Sequence, residues 1–252
     1  SDQPAIIASG PWRLTDRAGR VLRSGAAGEP IAYAGFLAQA SEPFNRNAWN
    51  LRGDAEFRSD LGENPVLRLT PARALQVGAA WLRSPVDPGR SFQVDFDFRI
   101  SKRGGSLDFD GKDGGDGFAV VLHADDSVTA PEALGIGAGG IGFYGIPRSV
   151  AVEFDTWKNA SWYGDTSSSH VTILSQGAQP NRPEYEHSHL SEEVRTSDFS
   201  DGAKTHHVRV LYTTERRIVV YLDRMDQPLV QTRVDLMDYL EIDGRPLWIG
   251  FT

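Results

Sequence analysis

Cysteine is absent from the 252 residues. That excludes disulfides and leaves the redox compartment open: the composition suits an exported bacterial protein that avoids unpaired thiols and equally a cytosolic one. No apolar run approaches the ~20 residues needed to cross a bilayer, so no membrane insertion is expected. The amino-terminal SDQPAIIASGPW lacks a basic stretch followed by a long apolar one, so a signal peptide, had there been one, is expected to have been removed. Excess positive charge is also missing. With 26 Lys and Arg against 34 Asp and Glu, net −8, nucleic acid and anionic membrane surfaces are poor partners. What remains is a chain 40 % apolar, enough for the core of one large β domain or two smaller ones.

The periodicity is that of strands. In SFQVDFDFRI, Phe92, Val94, Phe96, Phe98 and Ile100 fall on one face, and Gln93, Asp95, Asp97 and Arg99 on the other, a half-buried strand. GFAVVLHA (117–124), SVAVEFDTW (149–157), HVTIL (170–174), HHVRVLY (206–212) and RIVVYLD (217–223) read similarly or as buried strands, and PVLRLT and GAAWLRSPV add two candidates. Only DLMDYLEID (235–243) could form a turn or two of helix. Gly, Pro, Asn and Asp cluster between these segments, which predicts a two-sheet sandwich or barrel. No repeat is visible, and one domain is expected. SKRGGSLDFDGKDGGDG (101–117) reads as a mobile loop.

The stretch AVEFDTWKNASWYGDTSSSH (151–170) sets Glu153, Asp155, Asn159, Asp165 and His170 close together, with Lys158 the one cation among them. On a strand, Glu153 and Asp155 share a face, with Cα atoms about 7 Å apart. Carboxylates, an amide oxygen and a backbone carbonyl are hard ligands suited to Ca²⁺. A carboxylate set completed by imidazole suits an ion such as Mn²⁺. Bound cations would offset the repulsion among the acids. An acidic solvated loop beside an unrelated histidine is the competing reading.

Two further segments decide between them. GGDGFAVVLH (114–123) and GAGGIGFYGIP (137–147) precede SVAVEFDTWKN, and the three in this order resemble the metal-binding and sugar-binding segments of the legume-type (L-type) lectins, the concanavalin A-like family, above all its bacterial members. NAWNLRGDA, VLRLT and PLWIGFT extend the similarity over roughly residues 40–252. The resemblance implies an all-β concanavalin A-like jelly-roll sandwich of two antiparallel sheets. It divides the chain into an N-terminal extension, 1–30, packed on or completing the sandwich, and a lectin domain, 31–252.

Its implications for function are specific. Asp155 and Asp165 would bridge two ions. Ca²⁺ would take the Trp157 carbonyl and the Asn159 side chain, and a second ion, Mn²⁺ or similar, would take Glu153 and His170. A glycan of the mannose/glucose type or another saccharide would meet Asp116, Asn159, a backbone N–H of Gly139 or Gly140, and the ring of Trp157. The Gly115–Asp116 peptide would be cis. Asp165 follows Asn159 by more residues than is usual in the family. Members usually continue past the position of Thr252 into a final strand, so its place is left to the N-terminal segment, to a further chain, or to sequence cut away. The expected role is calcium-dependent glycan recognition by a secreted or cell-surface protein, such as an adhesin, without enzymatic activity.

Two alternatives come from other classes: a glycoside hydrolase on the same sandwich, and a lectin-like module that binds protein. Retaining hydrolases of this fold carry alternating acids on one strand. Here Trp157, Lys158 and Asn159 stand where the proton donor should follow. Other residues read more plainly. His187 and His189 in a polar loop, and His206 and His207 opening a strand, are expected to be solvated and not metal ligands. DFDGKDGGDG has Lys112 where a calcium loop needs an oxygen, and is expected as a flexible rim beside Asp116. Trp162, Tyr163 and Tyr144 are candidates to line the sugar site.

Overall fold

The computed structural model describes residues 46–61, 65–101, 104, 106–124, 131–184, 188–202 and 204–252, and the backbone of 5–7, 13–15 and 21–24. Alternating sequences become strands, and these pair into two seven-stranded sheets. The first runs, in spatial order, β15 (Val230–Arg233), β14 (Arg217–Leu222), β13 (His206–Tyr212), β8 (Phe92–Arg99), β1 (Ala5–Ile7), β6 (Val66–Arg68) and β5 (Glu56–Arg58). The second runs β12 (Val194–Arg195), β11 (His170–Leu174), β10 (Ser149–Asp155), β9 (Gly117–His123), β16 (Trp248–Phe251), β7 (Gly78–Leu82) and β4 (Trp49–Gly53). A separate hairpin joins β2 (Arg13–Thr15) to β3 (Val21–Ser24). Every strand pairing among the described residues of the two sheets is antiparallel, including β1 between β6 and β8. A single helical turn, α1 (Leu236–Tyr239), is capped by Asp235, whose side chain accepts from the Met237 N–H.

The core lies between the sheets. Phe92, Val94, Phe96 and Phe98 of β8 face Phe118 and Val120 of β9 and Val150, Val152 and Phe154 of β10. Phe118 and Phe154 stack with centroids 4.8 Å apart and planes 2° from parallel. Each such ring is worth roughly 1.5–3 kcal/mol on removal from water. All seven residues of β10 are buried, because its second face is covered as well: Ala151 packs with Trp81, Val121 and Phe143. Glu153 and Asp155 lie on that second face, and this forces two carboxylates into a covered position.

Candidate functional site

Register builds the acidic centre. Antiparallel pairing sets Asp155 opposite His170 on β11 and opposite Gly117 on β9, and sets Glu153 opposite Thr172 and Ala119. Small neutral neighbours leave room over the two acids, and His170 closes the group. Ligating atoms of Glu153, Asp155 and His170 all lie within 4.8 Å of one another, and all three residues are buried. The His170 Nε2 is 3.8 Å from the Glu153 carboxylate, while its Nδ1 is 3.0 Å from the Ser167 carbonyl.

The same register delivers Asp116. Beyond the end of β10 the Thr156 N–H donates to the Asp116 carbonyl at 3.2 Å, and the Thr156 hydroxyl to the Gly115 carbonyl at 2.6 Å. Gly117 is required next to it: φ is +114°, and a Cβ there would stand 2.1 Å from the Phe154 carbonyl oxygen. The Gly115–Asp116 peptide is trans, as is every peptide bond among the described residues; this corrects the cis geometry expected from the resemblance. Trans is the form favoured by about 3–4 kcal/mol for a non-proline peptide.

Asn159 links the parts. Its side-chain NH₂ donates to the Asp116 carboxylate at 3.2 Å, and its N–H donates to the Asp165 carboxylate. A Cβ added to Gly139, in the 3-10 turn Ala138–Gly140, would come 2.8 Å from the Asn159 amide nitrogen and 2.4 Å from the Tyr163 ring. Gly139 therefore meets Asn159 and Tyr163 with bare backbone. The Gly140 N–H instead donates to the Gly137 carbonyl at 3.1 Å, and Gly140 faces Tyr144. The Trp157 N–H donates to Asp155 at 2.6 Å, which turns the chain at the strand end. Asp165 borders the three-residue centre and is held toward the Asn159 N–H. A small cavity of about 30 Å³ opens beside Asp116, lined by Thr70, Val77, Gly137 and Thr252 among others.

The electrostatics are those of a cation site. Burial pushes the Glu153 carboxyl well above the usual carboxylate range, and the charges of Asp165, Glu193 and Asp116 push it further. Asp155 is raised by burial and by Glu153 and Asp165. Burial, with Glu193 and Asp116, takes Asp165 up to about 7. Asp116 is raised by burial, and burial lowers His170, which favours the neutral ring. The loop's lysine gives no relief, because the Lys158 ammonium turns to Asp110 at 2.8 Å. A buried set of carboxylates with one neutral imidazole and, among the described residues, no ammonium or guanidinium partner in the centre suits a divalent ion.

The remaining expectations divide. The 101–117 segment is fastened where it is described, not a free rim. Asp108 accepts from the N–H groups of Lys158, Asp110 and Lys112, and Asp110 accepts from the Ser168 hydroxyl. Trp162 is 77 % exposed, while Tyr163 packs on Gly139. His187 lies outside the described residues. His189 is half-buried, 3.4 Å from the Thr172 hydroxyl, and burial lowers it to about 4. His206 pairs with Asp223 and His207 with Asp97. Glu193 is a site neighbour that the sequence reading did not single out. Its side chain is 3 % exposed and stands 3.3 Å from the His170 Nδ1. Only the pairing of His170 with Arg195 on the two-residue β12 brings it there.

Comparison with known proteins agrees with the fold. The family model described as the legume lectin beta-barrel domain matches residues 39–249. Among solved structures, the lectin from Bauhinia forficata in complex with GalNAc is similar at 21 % identity and TM-score 0.60, over 82 % of this chain and 85 % of that one. Lectin I from Ulex europaeus, in complex with the methyl glycoside of α-L-fucose, is similar at 19 % identity and TM-score 0.60, over 83 % and 86 %. The potassium-bound carbohydrate recognition domain of Emp46p follows at 16 % and TM-score 0.55, over 81 % and 80 %.

Proposed function

Since the chain belongs to the L-type lectin domain family, we propose that its legume-lectin-type carbohydrate-binding domain recognises glycans in a manner that depends on calcium and on a second, imidazole-bound ion. The observation that carries this reading is the meeting of Asp116, Asn159 and the bare backbone of Gly139 directly beside the buried Glu153–Asp155–His170 centre. The centre would hold the ions: Glu153, Asp155, Asp165 and His170 for the one that takes an imidazole, and Asp155, the Trp157 carbonyl, the Asn159 oxygen and Asp165 for calcium. Bound there, the ions supply charge that keeps the carboxylates ionised and their loop closed.

The chain's own groups do the recognising. The Asp116 carboxylate accepts from Asn159 and keeps lone pairs for a sugar hydroxyl, while Asn159 and a glycine N–H offer donors, so adjacent hydroxyls are read in both roles. Of the two glycines, Gly139 is the better donor, because the Gly140 N–H already closes a turn. The Trp157 ring would cover the C–H side of the sugar. The structural neighbours with GalNAc and a fucoside support a monosaccharide-sized primary site.

The proposal includes the absence of hydrolysis. Glu153 and Asp155 are each 3 % exposed, and carboxylates so covered do not reach a glycosidic bond. A bacterial, secreted or cell-surface setting belongs to the same reading, with β1 (Ala5–Ile7) of the N-terminal extension paired into the sandwich.

A glycan array with and without EDTA tests the reading. Binding should require the divalent ion. Asp116→Ala should lower it at least 100-fold while calcium still raises the melting temperature. Binding unaffected by both treatments would overturn it.

A further inference from the structure

Glu193 has a buried side chain beside the centre and no part in the ligand set above. Its carboxylate accepts from the Thr166 N–H, 3.1 Å from each oxygen, and from the Thr166 hydroxyl at 2.8 Å. It also stands 3.3 Å from the His170 Nδ1. The two nitrogens of an imidazole point apart, and the Nε2 faces Glu153. Glu193 therefore lies on the far side of the ring from any ion that His170 would ligate.

We propose that Glu193 is a positioning residue that tunes the metal centre for the imidazole-bound ion; this rests on the reading of Glu153, Asp155, Asp165 and His170 as ligands. Two effects follow from its contacts. With the Ser167 carbonyl, it gives the Nδ1–H two acceptors. The proton is held on that nitrogen, the Nε2 lone pair is left for the metal, and a carboxylate behind the ring makes the imidazole a stronger donor. Through Thr166, which follows Asp165 directly, it also pins the start of the loop whose end carries His170. One side chain thus fixes both ends of a six-residue segment bearing two ligands. Asp165 serves both ions, so the hold on Thr166 helps both alike, whereas calcium takes no imidazole; Glu193 therefore acts selectively between the ions through the His170 ring.

Calorimetric titration of the metal-free protein with Mn²⁺ and, separately, with Ca²⁺ tests this, using wild type and Glu193→Gln. Glutamine keeps the shape and can still accept from Thr166, so folding is preserved. The expected result is a Mn²⁺ affinity lowered 10- to 100-fold, with Ca²⁺ affinity changed less than threefold and a changed Mn²⁺ EPR line shape. Glu193→Asp, which keeps the charge but shortens the reach, serves if the glutamine variant does not accumulate, and should shift Mn²⁺ in the same direction. Equal weakening of both ions, or an unchanged Mn²⁺ isotherm, overturns the selective role while the lectin reading stands. A wild type that takes up neither ion overturns both.

Discussion

Two strands of this molecule carry acids at alternate positions, and the neighbouring strand decides their fates. On β8, Asp95 and Asp97 lie opposite Arg209 and His207 of β13. Arg209 donates to Asp95 at 2.8 Å, and the His207 Nδ1 stands 2.7 Å from Asp97. On β10, Glu153 and Asp155 have the same spacing but lie opposite Thr172, Ala119, Gly117 and one histidine. The first pair has its partners, a guanidinium and an imidazole, within the chain. The second is buried among further acids and calls for cations from outside. Identical spacing therefore carries no chemistry by itself; cross-strand pairing turns one pair into structure and the other into a site.

The comparison breaks most readily at Asp155. Asp155→Ala should abolish both glycan binding and the calcium-dependent rise in melting temperature. In wild type, saturation at ~100 times the dissociation constant contributes about 2.7 kcal/mol, or roughly 5–10 °C for a domain of this size. Thermal melts with calcium and with EDTA measure it, and a variant that keeps the full shift would break the distinction.

A smaller effect of opposite sign sharpens it. In metal-free protein, Asp95→Asn should cost about 1–3 kcal/mol by removing a charged partner of Arg209. Glu153→Gln should stabilise by about 1 kcal/mol or more, because it removes a buried charge that faces other acids. Urea denaturation in EDTA compares the two, and destabilisation by both would mean that the β10 pair is internally balanced after all.

The smallest expected effect is on pH dependence. Carboxyls raised in the folded state bind more protons folded than unfolded, so stability increases as pH falls through their folded values. With Asp165 at about 7 and Glu153 and Asp155 raised as well, the metal-free melting temperature should climb from pH 8 to about 6.5. Below that, His170 and His189, whose protonation is suppressed by burial, oppose the climb, because the unfolded chain takes up those protons first. Saturating calcium should flatten or invert the trend, since protons then compete with the ion. Melts at half-unit pH steps decide it.

Much of this was legible in the residues. The alternation of Phe92, Val94, Phe96 and Phe98 marked a core-facing strand, and the faces of β10 followed from period two. The resemblance anticipated the neighbourhood of Asp116, Asn159 and the glycine turn. Three things were not legible, each for a physical reason. The second covered face of β10 depends on Trp81 and Phe143, distant in sequence. The attachment of the 101–117 segment depends on Lys158 and Ser168. Glu193 immediately precedes β12, a strand too short to have a period, and only the pairing of that strand with His170 and Val171 reveals it.

Gly139 has a consequence for how such a protein can change. Any side chain at that position must dislodge both an amide nitrogen and an aromatic ring, so divergence is closed there. Trp162, three positions beyond Asn159 and mostly in solvent, can be exchanged without disturbing that frame. A lineage acquiring a new saccharide preference has the rim to vary and the hinge of the pocket to inherit.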